Sequence, residues 1–558
     1  MSRMTYDFII VGGGSAGSVL ANRLSAQGRF KVLLLEAGPS DRKNPFIHMP
    51  AGIVALMHSR RFNWRFWTQP QTHLDNRVLF QPRGKTLGGS SSINAAVYIR
   101  GHAWDYDHWA RLGCKGWSYP EVMPHFKRSE KYVAGNGTSH EAMLEIHNYH
   151  GNAGPLNVIE RPASNPISIA FVEAGQQFGM APTTDFNGAQ QEGVGLYRTY
   201  QKDGQRCSNA RGYLWPISER DNLTIMTGTH VHRVLLSGKR ATGVEYSCNG
   251  ETLQAHATRE VLLCGGAFNS PQLLMLSGIG PADVLGKHGI PVAHELPGVG
   301  ENLQDHLDVF LQYRAKTRQA ISFHPAELWR WTKETWRYAR FRKGELTSNL
   351  AEAGAFLKSR PEQPIPDLQL HFLPLPATRH GLSLWPIIQN YAYSIMIYDL
   401  RPLSRGRVTL TGNDPLAPPA IDPDYGAVPR DIEQLVLGIK LARQIAAQPA
   451  LAAFTGEEIA PGAHVQSDAE LTAWVRATAE TAYHPVGTCK MGHDAMAVVD
   501  DELRVHGMQG LRVVDASIMP TLVGGNTNAA ATMIGEKAAQ MILAATTHSS
   551  PLPDAVGV

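Results

Sequence analysis

Residues 6–17 constrain this chain more tightly than any other stretch. YDFIIV at 6–11 is a β-branched run of the kind that makes a buried parallel strand, and it meets Gly12-Gly13-Gly14-Ser15-Ala16-Gly17, a G-x-G-x-x-G sequence. A helical pattern follows with Val19, Leu20 and Leu24 on one face, then a second predicted strand over 31–35 that ends at Glu36. The acid stands roughly 20 residues past the motif, the spacing of a dinucleotide-binding βαβ unit. Gly12 permits the tight turn, Gly14 lets backbone approach a pyrophosphate, and Gly17 lets helix and strand pack closely. The phosphates would meet the helix amino terminus at Ser15 and Ala16, and Glu36, followed by Ala37, would accept from ribose hydroxyls. A glycine motif alone is also compatible with a structural turn; strand, motif, helix, strand and acid in this order point to a nucleotide.

The rest of the composition narrows the class. With 558 residues and 43% hydrophobic side chains, the chain can bury a large core and divide into several domains. Lys and Arg number 52 against 49 Asp and Glu, too even a balance for a nucleic-acid binder working through bulk charge. The five cysteines contain no C-x-x-C, which argues against a disulfide framework or zinc ribbon and for a reducing compartment. No His/Cys cluster has ligand spacing, so no metal is expected. Residues 1–10 lack the features of a signal peptide and no apolar run is long enough to span a bilayer. The expectation is a cytoplasmic protein, with the inner face of the membrane as a place of association.

Two further glycine-rich stretches carry the argument to a family. Gly84-Lys85-Thr86-Leu87-Gly88-Gly89-Ser90-Ser91-Ser92-Ile93-Asn94 reads as a loop whose backbone amides face a ligand. Residues 266–280 read as a strand end, a helix begun by Ser270-Pro271, and a glycine stop. These stretches resemble the two signatures of the glucose–methanol–choline (GMC) oxidoreductases, a flavoprotein family, and the resemblance runs from Tyr6 to about Leu543. Within the family it is nearest to membrane-associated bacterial alcohol dehydrogenases of alkane degradation and to choline and polyethylene-glycol dehydrogenases. The resemblance implies an α/β fold in which a Rossmann-like FAD-binding domain joins an α+β substrate domain, an antiparallel sheet backed by helices. It places Gly88, Ser91, Asn94, Ala95, Ala96 and Val97 against the flavin and the Val231 backbone at the adenine. Asp515, Ala516 and Thr527 fall to the remaining flavin contacts. Members with a histidyl–flavin bond carry His where this chain has Ile93, so the FAD is expected to be non-covalent.

The family also supplies a catalytic pair. His484, in Tyr483-His484-Pro485-Val486-Gly487, lies on a turn that presents an imidazole, and the resemblance assigns it and Asn528 to catalysis at the flavin N5. Asn526, two residues earlier in the same loop, reads as a glycine-loop turn residue. Neutral imidazole suits removal of an alcohol proton as hydride leaves the carbon, and an amide can donate to the alcohol oxygen without competing as a base. The Ser90-Ser91-Ser92 run lacks a G-x-S-x-G elbow, and His484 with Cys489 is a poor match for a cysteine hydrolase. The resulting reading is oxidation of a primary, aliphatic alcohol to an aldehyde, with electrons passed to a quinone-like acceptor. Choline or polyethylene-glycol dehydrogenases and an O₂-using oxidase are the near alternatives. A redox-neutral lyase and a photodecarboxylase are the distant ones.

In domain terms, residues 1–155, 220–305 and 500–545 are expected to form the FAD-binding part, 156–219 and 306–499 the substrate part, and 546–558 a loose tail. One segment, 323–343 from Phe323 to Lys343, stands apart. Leu328, Trp331, Trp336 and Ala339 share one helical face, with Arg330, Lys333, Arg337 and Arg340 opposite. This is the pattern of an interfacial membrane helix; a helix packed on the protein with a solvated charged face, or a lid over a channel, fits it as well.

Overall fold

The computed structural model describes residues 4–135, 140–160, 165–377, 382–383 and 385–548, organised largely by two seven-stranded sheets. The YDFIIV run lies within the strand Met4–Val11, whose Phe8, Ile9 and Ile10 are fully buried. It pairs in parallel with Val32–Glu36 on one side and Glu251–Leu263 on the other. Leu223–Thr227 extends the sheet beyond Val32–Glu36, and Leu511–Val513 lies along Glu251–Leu263. Thr229–Ser237 and Arg240–Cys248 add an antiparallel wing. Because the central strands are parallel, their carboxyl ends bring Gly12, Glu36, Thr229, Cys264 and Asp515 to one edge, where such sheets hold ligands.

The second sheet is antiparallel, in the order Thr455–Ala460, Leu307–Ala315, Ala392–Asp399, Leu368–Leu373, Ala353–Leu357, Gly193–Leu196. Alternation along these strands separates two faces. Leu307, Val309, Leu311, Leu370, Ile395 and Ile397 join a core with the helices Pro166–Gln177 and Pro429–Ala446. Phe310, Met396 and Tyr398 point the other way, into a cluster with Val97 and Ile99 of the glycine-rich loop region.

Several local expectations are corrected. The helix predicted to start at Ser270-Pro271 starts at Gly266 and runs to Leu276, with Pro271 inside it. Pro271 cannot donate to the carbonyl of Ala267, and the Thr488 hydroxyl takes that carbonyl at 2.6 Å, pinning the loop after His484 to this helix. Cys207, Tyr213, Leu214, Val486, Cys489 and Met491, expected with the substrate part, pack in the core of the first sheet. The terminal helix Asn528–His548 takes in the start of the expected tail, and 549–558 lie outside the described residues.

Residues Leu328–Phe341 form a helix whose Trp331 packs inward against Ile321, Leu375 and Ile387, while its other tryptophans face outward. Leu328, Trp329 and Trp336 are 72%, 79% and 63% exposed, while Glu334 and Tyr338 are buried. The reason is an inward polar anchor: Glu334 accepts from the Glu345 amide at 2.7 Å, and Arg330 pairs with Glu345 at 2.6 Å. Among the described residues no helix is long and apolar enough to cross a membrane.

Candidate active site

The nucleotide end of the site is built by glycines. Gly12 sits at φ +103°, and a Cβ there would lie 2.5 Å from the Cys264 carbonyl oxygen; a Cβ on Gly17 would lie 2.0 Å from that of Gly12. Side chains are thus excluded where helix meets strand, whereas a Cβ on Gly14 would meet only the Cys264 carbonyl oxygen, at 4.0 Å. The Ser15–Leu24 helix begins at Gly14 with no side-chain cap, so its first amides are offered to a ligand. Glu36 accepts from the amides of Gly13 (2.9 Å) and Gly38 (2.8 Å) and is fixed with its carboxylate at the cavity wall. Burial pushes its pKa up to about 7, against the lowering by those amides and by Lys85. Asp515 is held by the Gly266 amide and the Ser270 hydroxyl, and burial likewise raises it.

A cavity of about 400 Å³ starts here and is lined by Gly12, Gly14, Ser15, Ala16, Glu36, Ala37, Val231, Asp515 and Ala516. It continues past Ile93, Asn94, Ala95, Ala96 and Val97 to His484, Asn526, Thr527 and Asn528. Of the residues assigned to the cofactor from sequence, Gly17, Gly88 and Ser91 do not line it. Gly88 sits at φ +84° with its amide on the Gly13 carbonyl, and the Ser91 hydroxyl bridges the Gly88 carbonyl and the Asn209 amide. These two brace the wall from behind, and Gly89 and Ser90 face the cavity in their place.

Of the two asparagines in the 524–528 loop, Asn526 and not Asn528 lies beside His484. The Asn526 amide nitrogen lies 3.2 Å from His484 Nε2, whereas Asn528 opens the terminal helix and its Oδ1 accepts from the Ser15 hydroxyl at 2.7 Å. Gly525 decides this. It lies at φ +150°, packed so tightly on Ile99 that a Cβ would stand 2.4 Å from Ile99 Cγ2, and the Gly524 amide is tied to Asp105 at 2.7 Å. The loop therefore delivers the next residue, Asn526, to the imidazole. Asn526 Oδ1 is buried without a protein partner among the described residues, and Asn526 lines the cavity.

Behind His484 the site is polar and closed. The His484 amide donates to Asp305 Oδ1 at 2.7 Å, and His484 Nδ1 lies 2.9 Å from His306 Nδ1. His306, fully buried, has its pKa lowered to about 3 by desolvation. Sequence reading passed over Asp305 and His306 because nothing local marks them; only the fold brings them to His484. His371 is also lowered to about 3 by desolvation, and its Nε2 lies 2.7 Å from the Tyr398 hydroxyl. Arg83, pushed down to about 10 by burial, lines the cavity and donates to the Tyr483 carbonyl at 2.5 Å.

Away from the nucleotide end the lining is rich in hydrocarbon, with Phe310, Leu350, Leu373, Leu375, Ile387 and Met396 beside the polar Asn349, His371, Ser383 and Tyr398. The carboxylates that line the cavity, Glu36 and Asp515, both belong to the nucleotide end. Among the described residues no group of three or more His, Cys, Asp or Glu could hold a metal ion.

The donor set fits FAD: a capless helix terminus for phosphates, a buried carboxylate for ribose hydroxyls, and a glycine-walled slot leading to an imidazole. Comparison with known proteins agrees. GMC oxidoreductase family profiles match residues 6–308 and 402–535. The chain is 49% identical to "Alcohol dehydrogenase [acceptor]" of Pseudomonas putida over 540 residues, 96% of each chain. It is 47% identical to mitochondrial choline dehydrogenase of Homo sapiens, covering 97% of this chain and 90% of that one. Among solved structures it is similar to pyridoxine 4-oxidase from Mesorbium loti, with a TM-score of 0.85 and 32% identity over 98% of this chain and 100% of the other.

Proposed function

Since this chain belongs to the GMC oxidoreductase family, and so is an FAD-dependent oxidoreductase acting on CH–OH donors, we propose that it oxidises primary aliphatic alcohols to aldehydes. The observation that carries the substrate class is the hydrocarbon-rich outer cavity, with no carboxylate on its wall beyond the nucleotide end and Arg83 as its cation. A quaternary ammonium alcohol would find no counter-charge there, while an alkyl chain finds hydrocarbon on several sides.

FAD, held by the residues described above, supplies the two-electron acceptor that alcohol oxidation requires. The protein supplies the rest. An alcohol hydroxyl reaching both groups replaces the 3.2 Å contact between the Asn526 amide and His484 Nε2, donating to the imidazole and accepting from the amide. His484 Nε2 then takes the hydroxyl proton, and Asn526 holds the oxygen as it gains alkoxide character. The hydrocarbon wall orients the alkyl chain and excludes water. Ile93, at the cavity wall, offers no nucleophilic atom, which supports non-covalent FAD. The test is anaerobic mixing of holoenzyme with an alcohol panel: 1-alkanols should bleach the flavin absorbance and choline should not. Faster bleaching by choline would replace this reading with choline oxidation.

The electron acceptor we propose is a lipid-soluble quinone, met at an anionic membrane on which the Leu328–Phe341 helix docks. Its outward face carries Trp329, Trp336 and Phe341, and Trp385 nearby in sequence to the cavity segment is 63% exposed. Lys333, Arg340, Arg342 and Lys343 are exposed and make no ion pair among the described residues. Aromatic rings beside cations that no carboxylate neutralises match an anionic interface, at about 1 kcal/mol per Lys or Arg near the surface. Behind the helix Trp331 packs on Ile321, Leu375 and Ile387, and the last two line the cavity. Co-sedimentation with anionic liposomes at low salt should be lost at high salt and on Trp329→Glu with Trp336→Glu; wild type left in the supernatant at low salt would refute docking.

A further inference from the structure

We infer that His306 is a positioning residue that fixes which ring nitrogen of His484 carries the proton, leaving the Nε2 lone pair turned toward the cavity. The inference deepens the reading of His484 as the base. One carboxylate holds the backbone of both residues. Asp305 Oδ1 accepts from the amides of His306 (2.9 Å) and His484 (2.7 Å), while Oδ2 accepts from Gln81, Tyr425 and Thr481. The two imidazoles stand at 88° with Nδ1 2.9 Å from Nδ1. At that distance one nitrogen must donate and the other accept.

The Leu400 carbonyl decides which. It lies 3.2 Å from His306 Nε2, and a carbonyl oxygen only accepts, so His306 Nε2 bears a hydrogen. A neutral imidazole has one N–H, so His306 Nδ1 is the lone pair. Burial keeps His306 neutral; of the charges around it, Arg401 opposes protonation and Asp105 favours it, and Tyr398 packs beside the ring. His484 Nδ1 therefore carries the hydrogen and donates to His306, and His484 Nε2 is left as the lone pair. The Asn526 amide N–H at 3.2 Å donates to that lone pair, which agrees with the assignment from the other side. When His484 takes an alcohol proton at Nε2, its Nδ1–H stays in place and His306 accepts from the imidazolium without itself being protonated. Without His306 the proton could rest on Nε2 and block the base.

Two replacements of similar size separate this role from packing. In His306→Gln the amide oxygen can accept from His484 Nδ1–H while its NH₂ donates to Leu400; His306→Leu can do neither. Flavin-loaded enzyme with ¹⁵N-histidine is examined by NMR, with the His484 signals assigned by their loss in His484→Gln, and anaerobic flavin reduction by a 1-alkanol is timed. Wild type should show His484 protonated at Nδ1 and bare at Nε2. The Leu variant should lose that pattern and slow reduction by ~10-fold or more, the scale of an orphaned buried donor, and Gln should restore most of both. The inference is overturned if wild-type His484 carries its proton on Nε2, if Leu keeps both rate and pattern, or if Gln, with flavin and Tm retained, shows neither rescue. Should the Leu variant fail to fold, the wild-type spectrum and the Gln variant decide. An unaltered rate in His484→Ala would instead remove the base while leaving the tautomer assignment to stand on the spectrum.

Discussion

Replacing Asn526 by Ala deletes the amide that faces His484 Nε2 across 3.2 Å and leaves the developing alkoxide without its donor. The lost hydrogen bond is to a group that gains charge in a buried setting, which places its worth at about 1–3 kcal/mol. At 1.4 kcal/mol per tenfold, that is a slowing of flavin reduction by roughly 5- to 150-fold. Asn526→Asp, of the same shape, should be slower still, since a carboxylate repels the alkoxide and cannot donate when ionised. Asn528→Ala is the control. It removes the acceptor of the Ser15 hydroxyl at the start of the terminal helix, so it should weaken flavin retention or Tm and leave the reduction rate within about twofold. The assay is anaerobic stopped-flow at saturating 1-alkanol, comparing limiting reduction rates and not kcat, because reoxidation can hide a slowed first half-reaction. A tenfold loss in Asn528→Ala with none in Asn526→Ala would refute the geometric argument and return the role to Asn528.

Three further outcomes are expected. His484→Ala should slow flavin reduction by ~10²-fold or more with FAD still bound, because it removes a base and not a cofactor contact; an unchanged rate would exclude it. Acid precipitation should leave yellow flavin in the supernatant, since Ile93 provides no atom for a covalent link, and flavin kept in the pellet would contradict this. Glu36 should make FAD affinity pH-dependent. Burial raises it from the ordinary 4.5 to about 7 in the free protein, so below 7 it is protonated and must lose that proton to accept fully from ribose hydroxyls. Kd should rise by up to ~10-fold per pH unit as pH falls below 7 and level off above it. Glu36→Gln should flatten the curve, measured by flavin fluorescence; an equal slope in the variant would clear Glu36.

Much of the nucleotide end was legible in the sequence because its signals are local. A strand, a tight glycine turn, a helix start and an acid at the next strand end are each set by a few neighbouring residues, and their order dictates the βαβ unit around Gly12, Gly14 and Glu36. His484 was legible in the same way, through its His-Pro-x-Gly turn and the family it resembles. Tertiary structure decided what depends on contacts between distant segments. Which asparagine meets His484 turned on the approach of Gly525 to Ile99, which residue spacing does not encode. Gly88 and Ser91 belong to the cofactor loop by sequence, yet the way it folds over Gly13 and Asn209 turns them away from the cavity. Asp305, His306 and the Leu400 carbonyl meet His484 from elsewhere in the chain, so no periodicity could gather them. The Leu328–Phe341 helix is the clearest case. Its pattern defines two faces, but the structure turns part of each inward: Trp331 packs on Ile321, Leu375 and Ile387, while Glu334 anchored to the Glu345 amide and Arg330 paired with Glu345 hold the helix so that Leu328 and Trp336 stay exposed.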